Sequence, residues 1–404
     1  MSHITLTNFA KTYGPLVSLR LGTQYLVVGS SPSAAIEILK THDRILSDLD
    51  KISIGWASQC NNGWKYLRTL CRTGLFSSQV LESQACLREK KVMELVEFLR
   101  SKEGQVVFEE LAFATMSNML SNVVMPKDIA NLEKETEDGG MRNLVRGLVE
   151  AVSAPNIFDF YPILGKFDLQ GLRKKTIYVM TKIRSNWESI LEERRNSKRS
   201  GSSSQQNFLD TLLDNGVTND CIHQIFVELL SAGSDTSTST TDWTMAELIK
   251  NVESMKKVQD ELEIELSGND YPKESQLLQM SYVASSSMIA ASTSCYETCH
   301  VMSYTVPKDA QILVNIWAIA RDPFIWEEPE MLRPQILTLL CRKENMPRPA
   351  MAAIKIPLIL ASLVHFFDWE LPHGKCPAQL DMTEKFGVTR QKKEPLILIP
   401  RARK

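Results

Sequence analysis

With 404 residues, 43% of them hydrophobic and only 18 Gly and 17 Pro, the chain has the make-up of a globular protein with a sizeable core, which excludes a disordered or fibrous one. Its 46 Lys and Arg against 48 Asp and Glu leave a formal charge of −2, so no global field draws it toward nucleic acid or an anionic membrane. Eight cysteines between Cys60 and Cys376 lack paired metal-knuckle spacing, and the chain opens with neither a cationic stretch nor an apolar signal core, which points to a reducing compartment.

Residues 16–29, LVSLRLGTQYLVVG, alternate apolar and polar around a Leu-Gly step and predict a β-hairpin. Ser31-Pro32-Ser33 then opens AAIEILKTH, an amphipathic helix that Ser31 or Ser33 can cap. From Ser78 to about Arg100, through residues 141–153 and through 171–195, apolar residues recur every three or four positions, so the bulk of the chain reads as helix. The basic and then Ser-rich run RRNSKRSGSSSQQ, Arg194 to Gln206, has nothing to bury and reads as an exposed loop between two long helices. After Ala310, QILVNIWAIA and the terminal KEPLILIP return to β-like patterns. The apolar stretch Ile354 to Phe367 is interrupted by Lys355, Pro357 and His365 and is too short for a bilayer span. With structure beginning almost at Met1, the chain is expected to lack an N-terminal anchor, and an upstream region is expected to be missing from it.

The most informative segment is Cys221 to Asn251, CIHQIFVELLSAGSDTSTSTTDWTMAELIKN. Ser, Asp and Thr compete for backbone hydrogen bonds, so composition alone favours two helices joined by a capped turn at Ser234 to Ser239. The alternative is one long helix, distorted at its centre. Ala232-Gly233-Ser234-Asp235-Thr236 resembles the oxygen-binding groove of the central helix in cytochromes P-450, whose pattern is Ala/Gly-Gly-x-Asp/Glu-Thr. Small residues there leave room for dioxygen above a haem, and an acid beside a hydroxyl relays protons.

The resemblance extends over most of the chain. KTYGPLVSLRLG, SSPSAAIEILKTHD, WKYLRTLCRTGLFS, NIFDFYPILGKFDLQG, VPKDAQILVNIWAIARDP and FDWELP through DMTEKFGVTRQKKEPL look, in order, like the plant microsomal branch typified by geraniol hydroxylases. It implies a mainly α cytochrome P-450 fold with small β-sheets, truncated in several blocks, formed as a single domain over residues 1–404. It implies a haem cofactor, an NADPH-dependent P-450 reductase as partner, and hydroxylation of a small lipophilic terpenoid with dioxygen. It also implies a monomer at the endoplasmic reticulum membrane surface, or a cytoplasmic protein if no anchor is present. Asp235 and Thr236 would be catalytic, with Ala232 and Gly233 lining the cofactor groove. Trp64 and Arg68 match Trp-x-x-x-Arg, whose indole N–H and guanidinium pair with a haem propionate; the plainer account is a surface Arg one turn from a core Trp.

Three elements of that family pattern are missing. MSYVASSSMIAASTSCYETCHV, Met280 to Val301, contains no Glu-x-x-Arg; Arg333-Pro334-Gln335-Ile336-Leu337 has neither charge of the segment that locks onto it. LTLLCRKENMPRPAMAAIKIP, Leu337 to Pro357, has no Gly of the loop that carries the iron-ligating Cys. The ligand position falls near Met346, and the nearest thiol, Cys341, is read first as a surface-loop thiol and only second as a ligand. Cys376-Pro377 lies after the helix, and Cys295 to His300 misses the Cys-x-x-Cys-His haem-attachment spacing by one residue. The matches stop and resume abruptly, as also between Asp48 and Lys51, which suggests excised blocks. Hence the alternative expectation: a catalytically inactive relict that cannot ligate haem iron.

Overall fold

The computed structural model describes residues 2–38, 62–133, 140–200, 207–266, 271–277, 291–294, 298–308, 310–320, 322, 350–385, 389 and 391–403. The expectations that fall on 39–61, 278–290, 295–297 and 323–349, including Asp48 to Lys51, Cys295, Arg333 to Leu337, Cys341 and Met346, lie outside them. The chain forms two compact units, one of Met1–Leu67, Ser153–Lys174 and Ser285–Met346, the other of Arg68–Val152, Lys175–Ala284 and Pro347–Lys404.

In the first unit α1 (Ser2–Tyr13) precedes β1 (Leu16–Leu21) and β2 (Gln24–Gly29), the expected hairpin, paired from Leu16 with Gly29 to Leu21 with Gln24. Gly22 turns it at φ +63°, and a side chain there would run into the carbonyl of Phe160. Ser31 caps α2 (Pro32–Ile36), its Oγ accepting from the Ala34 N–H at 3.2 Å, so of the two serines the first is the cap. A sheet in the order β1, β2, β7 (Gln311–Val314), β4 (Ala291–Ser294) is parallel only between β2 and β7. β5 (Cys299–Val301) and β6 (Tyr304–Val306) form a separate ribbon. Val27, Ile38, Val301 and Ile312 fill the core of this unit.

The second unit is mostly helical. α3 (Asn62–Gly74) leads into α4 (Ser78–Ser83) and α5 (Ala85–Ser101), so the run from Ser78 to Arg100 is two helices, broken at Gln84. After the two-residue β3 (Val106–Val107), α6 (Phe108–Val124) is buried on nearly every side, as its near-continuous small and apolar residues require. α7 (Met141–Ser153) and α9 (Leu172–Arg199) follow as expected; between them in sequence, α8 (Ile157–Phe160) and a 3₁₀ turn belong to the first unit.

One expectation is corrected here: Arg194 to Arg199 is not loop but the last turns of α9. The reason is electrostatic, since α10 (Phe208–Asp214) offers Asp210 to Arg194 at 2.5 Å and Asp214 to Lys198 at 2.6 Å. Residues 201–206 of that run lie outside the described residues.

The central segment stays helical throughout, as α11 (Asn219–Leu230), a π-turn (Ser231–Asp235) and α12 (Thr236–Lys250). No capped turn separates two helices. The hydroxyls that composition counted against a helix instead bond back to carbonyls four residues earlier, Thr236 to Ala232 and Thr241 to Ser237 among them.

α13 (Val252–Leu266), α14 (Glu274–Leu277), α15 (Ile316–Ala320, in the first unit) and α16 (Ala350–Phe366) complete the helices. β8 (Phe367–Glu370), β3 and β11 (Ile397–Ala402) form one sheet; β9 (Glu384–Lys385) and β10 (Gln391–Lys392) form a short hairpin. One core joins α5, α6, α12, α13 and α16, with Leu95, Met116, Met245, Leu358 and Ile359 all fully buried. Each such side chain contributes about 1.5–3 kcal/mol on leaving water.

Candidate functional site

The π-turn gives the central helix two unlike faces. Ala232 and Thr236, one turn apart, are solvent-exposed and half-exposed, with the half-exposed Gly233 beside them, whereas Ser234 and Asp235 are buried. A side chain on Gly233 would press on Leu120 Cδ2 at 3.0 Å, so α6 packs closely against the turn. The wide turn opens the backbone ladder at its centre. Thr236 Oγ1 donates to the Ala232 carbonyl at 2.5 Å, and Ser237 Oγ to that of Gly233 at 3.1 Å.

A second donor reaches the Gly233 carbonyl from α16: Lys355 Nζ, 3.1 Å away on a side chain that is 1% exposed. Burial, with the positive charge of Arg88 adding, pulls this amine down from the ordinary lysine value to about 7.

Asp235 is 6% exposed. Burial raises its carboxyl above the usual range and Glu109 pushes the same way; Thr389, Arg146 and Gln391 oppose. Gln391 Nε2 donates to Oδ1 at 3.2 Å, while Oδ2 is buried without a hydrogen-bond partner. Two turns along the same face, Asp242 is pushed up to about 7, chiefly by burial and then by Glu109, against Lys392 and Arg142. The helix thus carries two buried acids that hold protons more tightly than ordinary carboxylates.

Trp64 and Arg68 lie one turn apart on α3, both half-buried. One turn beyond Arg68, Cys71 is buried, and the loss of water raises its thiol to about 12, so it stays protonated despite Arg68. Cys86 and Cys376 are exposed, Cys376 before a 3₁₀ turn, and Cys221 begins a helix. No metal-ligating cluster of His, Cys, Asp and Glu occurs among the described residues. Of the residues named from the sequence, Ala232, Gly233 and Asp235 lie on the π-turn and Thr236 opens α12, while Trp64 and Arg68 lie on α3. The sequence reading missed Lys355, Gln391 and Arg146. Lys355 carried a signal, as a lone charge in an apolar helical run; Gln391 carried none.

A mostly helical chain with a distorted central helix and an exposed small-residue face beside a buried acid is consistent with the resemblance to cytochromes P-450, and the family rests on the comparisons. The cytochrome P-450 family profile matches residues 1–335, and the chain belongs to that family of monooxygenases. It is 39% identical to corytuberine synthase of Coptis japonica, over 99% of this chain and 89% of that one. It is 36% identical to (S)-N-methylcoclaurine 3'-hydroxylase isozyme 1 of Papaver somniferum (99% and 91%) and 32% to cytochrome P-450 76C2 of Arabidopsis thaliana (98% and 87%). The first alignment runs over 438 positions for a 404-residue chain, so that relative carries at least 34 residues this chain skips, as the abrupt block losses imply.

The family's cofactor is haem. The distal residues fit it: the Ala232 to Thr236 face is free of bulky side chains, and on the buried side of the same helix Asp235 Oδ2, Ser234 Oγ and Thr238 Oγ1 have no hydrogen-bond partner. No described cysteine belongs to a metal-ligating cluster, and Cys341 lies outside the described residues.

Proposed function

We propose that this chain acts, as one domain over residues 1–404 and as a monomer, as a haem-dependent monooxygenase that hydroxylates a small lipophilic plant metabolite. Dioxygen is the oxidant, and an NADPH-dependent P-450 reductase supplies electrons. The observation that carries the reading is the π-turn, which sets the buried Asp235 beside the half-exposed hydroxyl of Thr236 on a face of small residues. Haem, when bound, supplies the redox-active iron. Ala232 and Gly233 line its distal side, and Trp64 and Arg68 present donors for its propionates. Asp235, its affinity for protons raised by burial, holds a proton, and Thr236 passes one at Oγ1. For the substrate, the relatives' names favour an alkaloid such as N-methylcoclaurine, and the resemblance to geraniol hydroxylases favours a terpenoid.

The purified chain, reduced and treated with carbon monoxide, is expected to show the shifted Soret band of a thiolate-ligated haem, and an unshifted spectrum sinks the reading. With reductase and NADPH, geraniol and N-methylcoclaurine separate the two substrate classes. Thr236→Ala is expected to lower product formed per NADPH by about tenfold or more, since a positioned proton donor contributes about 10²–10⁴.

Localisation at the endoplasmic reticulum membrane surface is part of the same proposal. No described helix is long and apolar enough to cross a membrane. In the first unit, however, Tyr161, Ile163, Phe167 and Leu169 are 55–88% exposed, next to exposed Arg173 and Lys174, the composition of an interfacial segment. Replacing Ile163 and Phe167 by Asp is expected to cut flotation with phosphatidylcholine and phosphatidylserine vesicles at least about tenfold, as burying two such side chains is worth about 3 kcal/mol or more. Equal flotation removes the surface from the proposal.

A further inference from the structure

We infer that Gln391 is the positioning residue for Asp235: its side-chain amide holds Oδ1 and couples the carboxylate to Arg146, leaving Oδ2 as the oxygen that takes up and releases the proton. The inference deepens the proposed function and rests on its reading of Asp235.

The geometry leaves the amide one orientation. Arg146 Nη2 donates to Gln391 Oε1 at 3.1 Å, and a guanidinium has donors only. Oε1 must therefore face Arg146, which turns the NH₂ group toward Asp235, where Nε2 lies 3.2 Å from Oδ1. An amide turned the other way would set NH₂ against guanidinium and oxygen against carboxylate, losing both bonds. The carboxylate thus receives a donor that cannot flip away, and a donor favours its ionised form against burial.

The amide is held at two points. Gln391 on β10 is paired across the hairpin with Lys385 on β9. On α7, Arg146 and Glu150 are one turn apart, and Lys385 Nζ meets Glu150 Oε1 at 2.8 Å while Gln391 meets Arg146. Both strands of the hairpin therefore grip one face of α7, and the spacing of one helical turn matches a cross-strand pair.

The charged and titratable groups around Asp235 are Glu109 from α6, which opposes ionisation, and Arg146 from α7, which favours it; Thr389 and Gln391 complete the polar set. Glu109 is itself engaged by Arg142 at 3.4 Å and Arg146 at 3.6 Å. Asp235 has no direct contact with a cation among the described residues; Arg146 acts on it through space and, by anchoring the Gln391 amide, also through the hydrogen bond to Oδ1.

The test is the infrared carboxyl band of Asp235 in the full-length chain, identified by subtracting the Asp235→Asn spectrum and followed through a pH titration. Gln391→Leu is expected to move the midpoint up by about one pH unit. Gln391→Glu, which offers acceptors only, is expected to move it further. Arg146→Gln is expected to shift it upward in the native background and by less in Gln391→Leu, where the charge still acts through space but the anchored amide is gone. An unmoved midpoint in both Gln391 variants, with the thermal transition retained, overturns the inference, and so does a full additional shift from Arg146→Gln in the Leu background. The pH profile of product formed per NADPH is the separate readout. A midpoint that moves while that profile stays fixed upholds Gln391 as the positioning residue and overturns Asp235 as the proton donor.

Discussion

Replacing Lys355 by methionine is expected to make the protein more stable at pH 7 by about 3 kcal/mol, although it deletes a hydrogen bond. The amine is 1% exposed and reaches only the Gly233 carbonyl, with no carboxylate in ion-pair range among the described residues. Methionine keeps the length of the stem and removes the ammonium. The sign follows from linkage. The amine's folded value, about 7, lies below its ordinary 10.5. Between those values the unfolded chain binds a proton that the folded chain does not, so folding becomes more favourable as pH rises, by up to about 1.4 kcal/mol per unit. Below pH 7 both states are protonated and the full cost of the buried charge is felt. Urea unfolding at pH 7 and pH 9 should show the native chain gaining on Lys355→Met at the higher pH. A methionine variant that is less stable at both, or a gap that does not narrow, contradicts this account.

Removing the charge of Glu274 should act in the opposite direction and as strongly. Arg88 is fully buried and held by Glu274 through two short bonds, Nε to Oε1 at 2.5 Å and Nη2 to Oε2 at 2.7 Å, with the Leu81 carbonyl at 2.6 Å. Glu274→Ala strands a guanidinium in the core and is expected to cost about 3–5 kcal/mol. It also removes the anion beside Arg88, whose field already lowers Lys355, so the pH range over which stability rises should extend further below 7. Replacing both partners by apolar residues, Arg88→Met with Glu274→Leu, should recover most of the loss, because a buried pair stabilises little over its apolar counterpart. Denaturant midpoints decide the matter: a loss below about 1 kcal/mol for Glu274→Ala would mean that Arg88 finds other acceptors or water.

The buried Arg88 and Glu274 pair also changes the meaning of the missing family brace. The segments that should carry Glu-x-x-Arg and its partner hold no such charges, and most of their residues lie outside the described ones. A different ion pair, between α5 and α14, braces the second unit. In the sequence Arg88 falls four residues before Val92, on the stripe that continues through Leu95, Val96 and Leu99, so its burial was legible in principle. Its partner was not, since Glu274 stands 186 residues away.

The sequence by itself determined the pieces whose physics is local. The hairpin at 16–29 follows from alternation and a glycine at positive φ, the cap at Ser31 from a side-chain oxygen before a proline, and the small-residue turn at Ala232 to Asp235 lies in a run that resembles a known pattern. Tertiary structure decided what depends on partners distant in the chain. Whether Ser234 to Ser239 breaks a helix or distorts one was open until α6 and α16 packed against it; Arg194 to Arg199 became helix because α10 supplied carboxylates. Gln391 became a bridge because a two-stranded hairpin set it between Arg146 and Asp235. Periodicity reports which face of an element is buried, but the protonation of Asp235 and Lys355 depends on which charges share that burial, and only the folded chain brings those together.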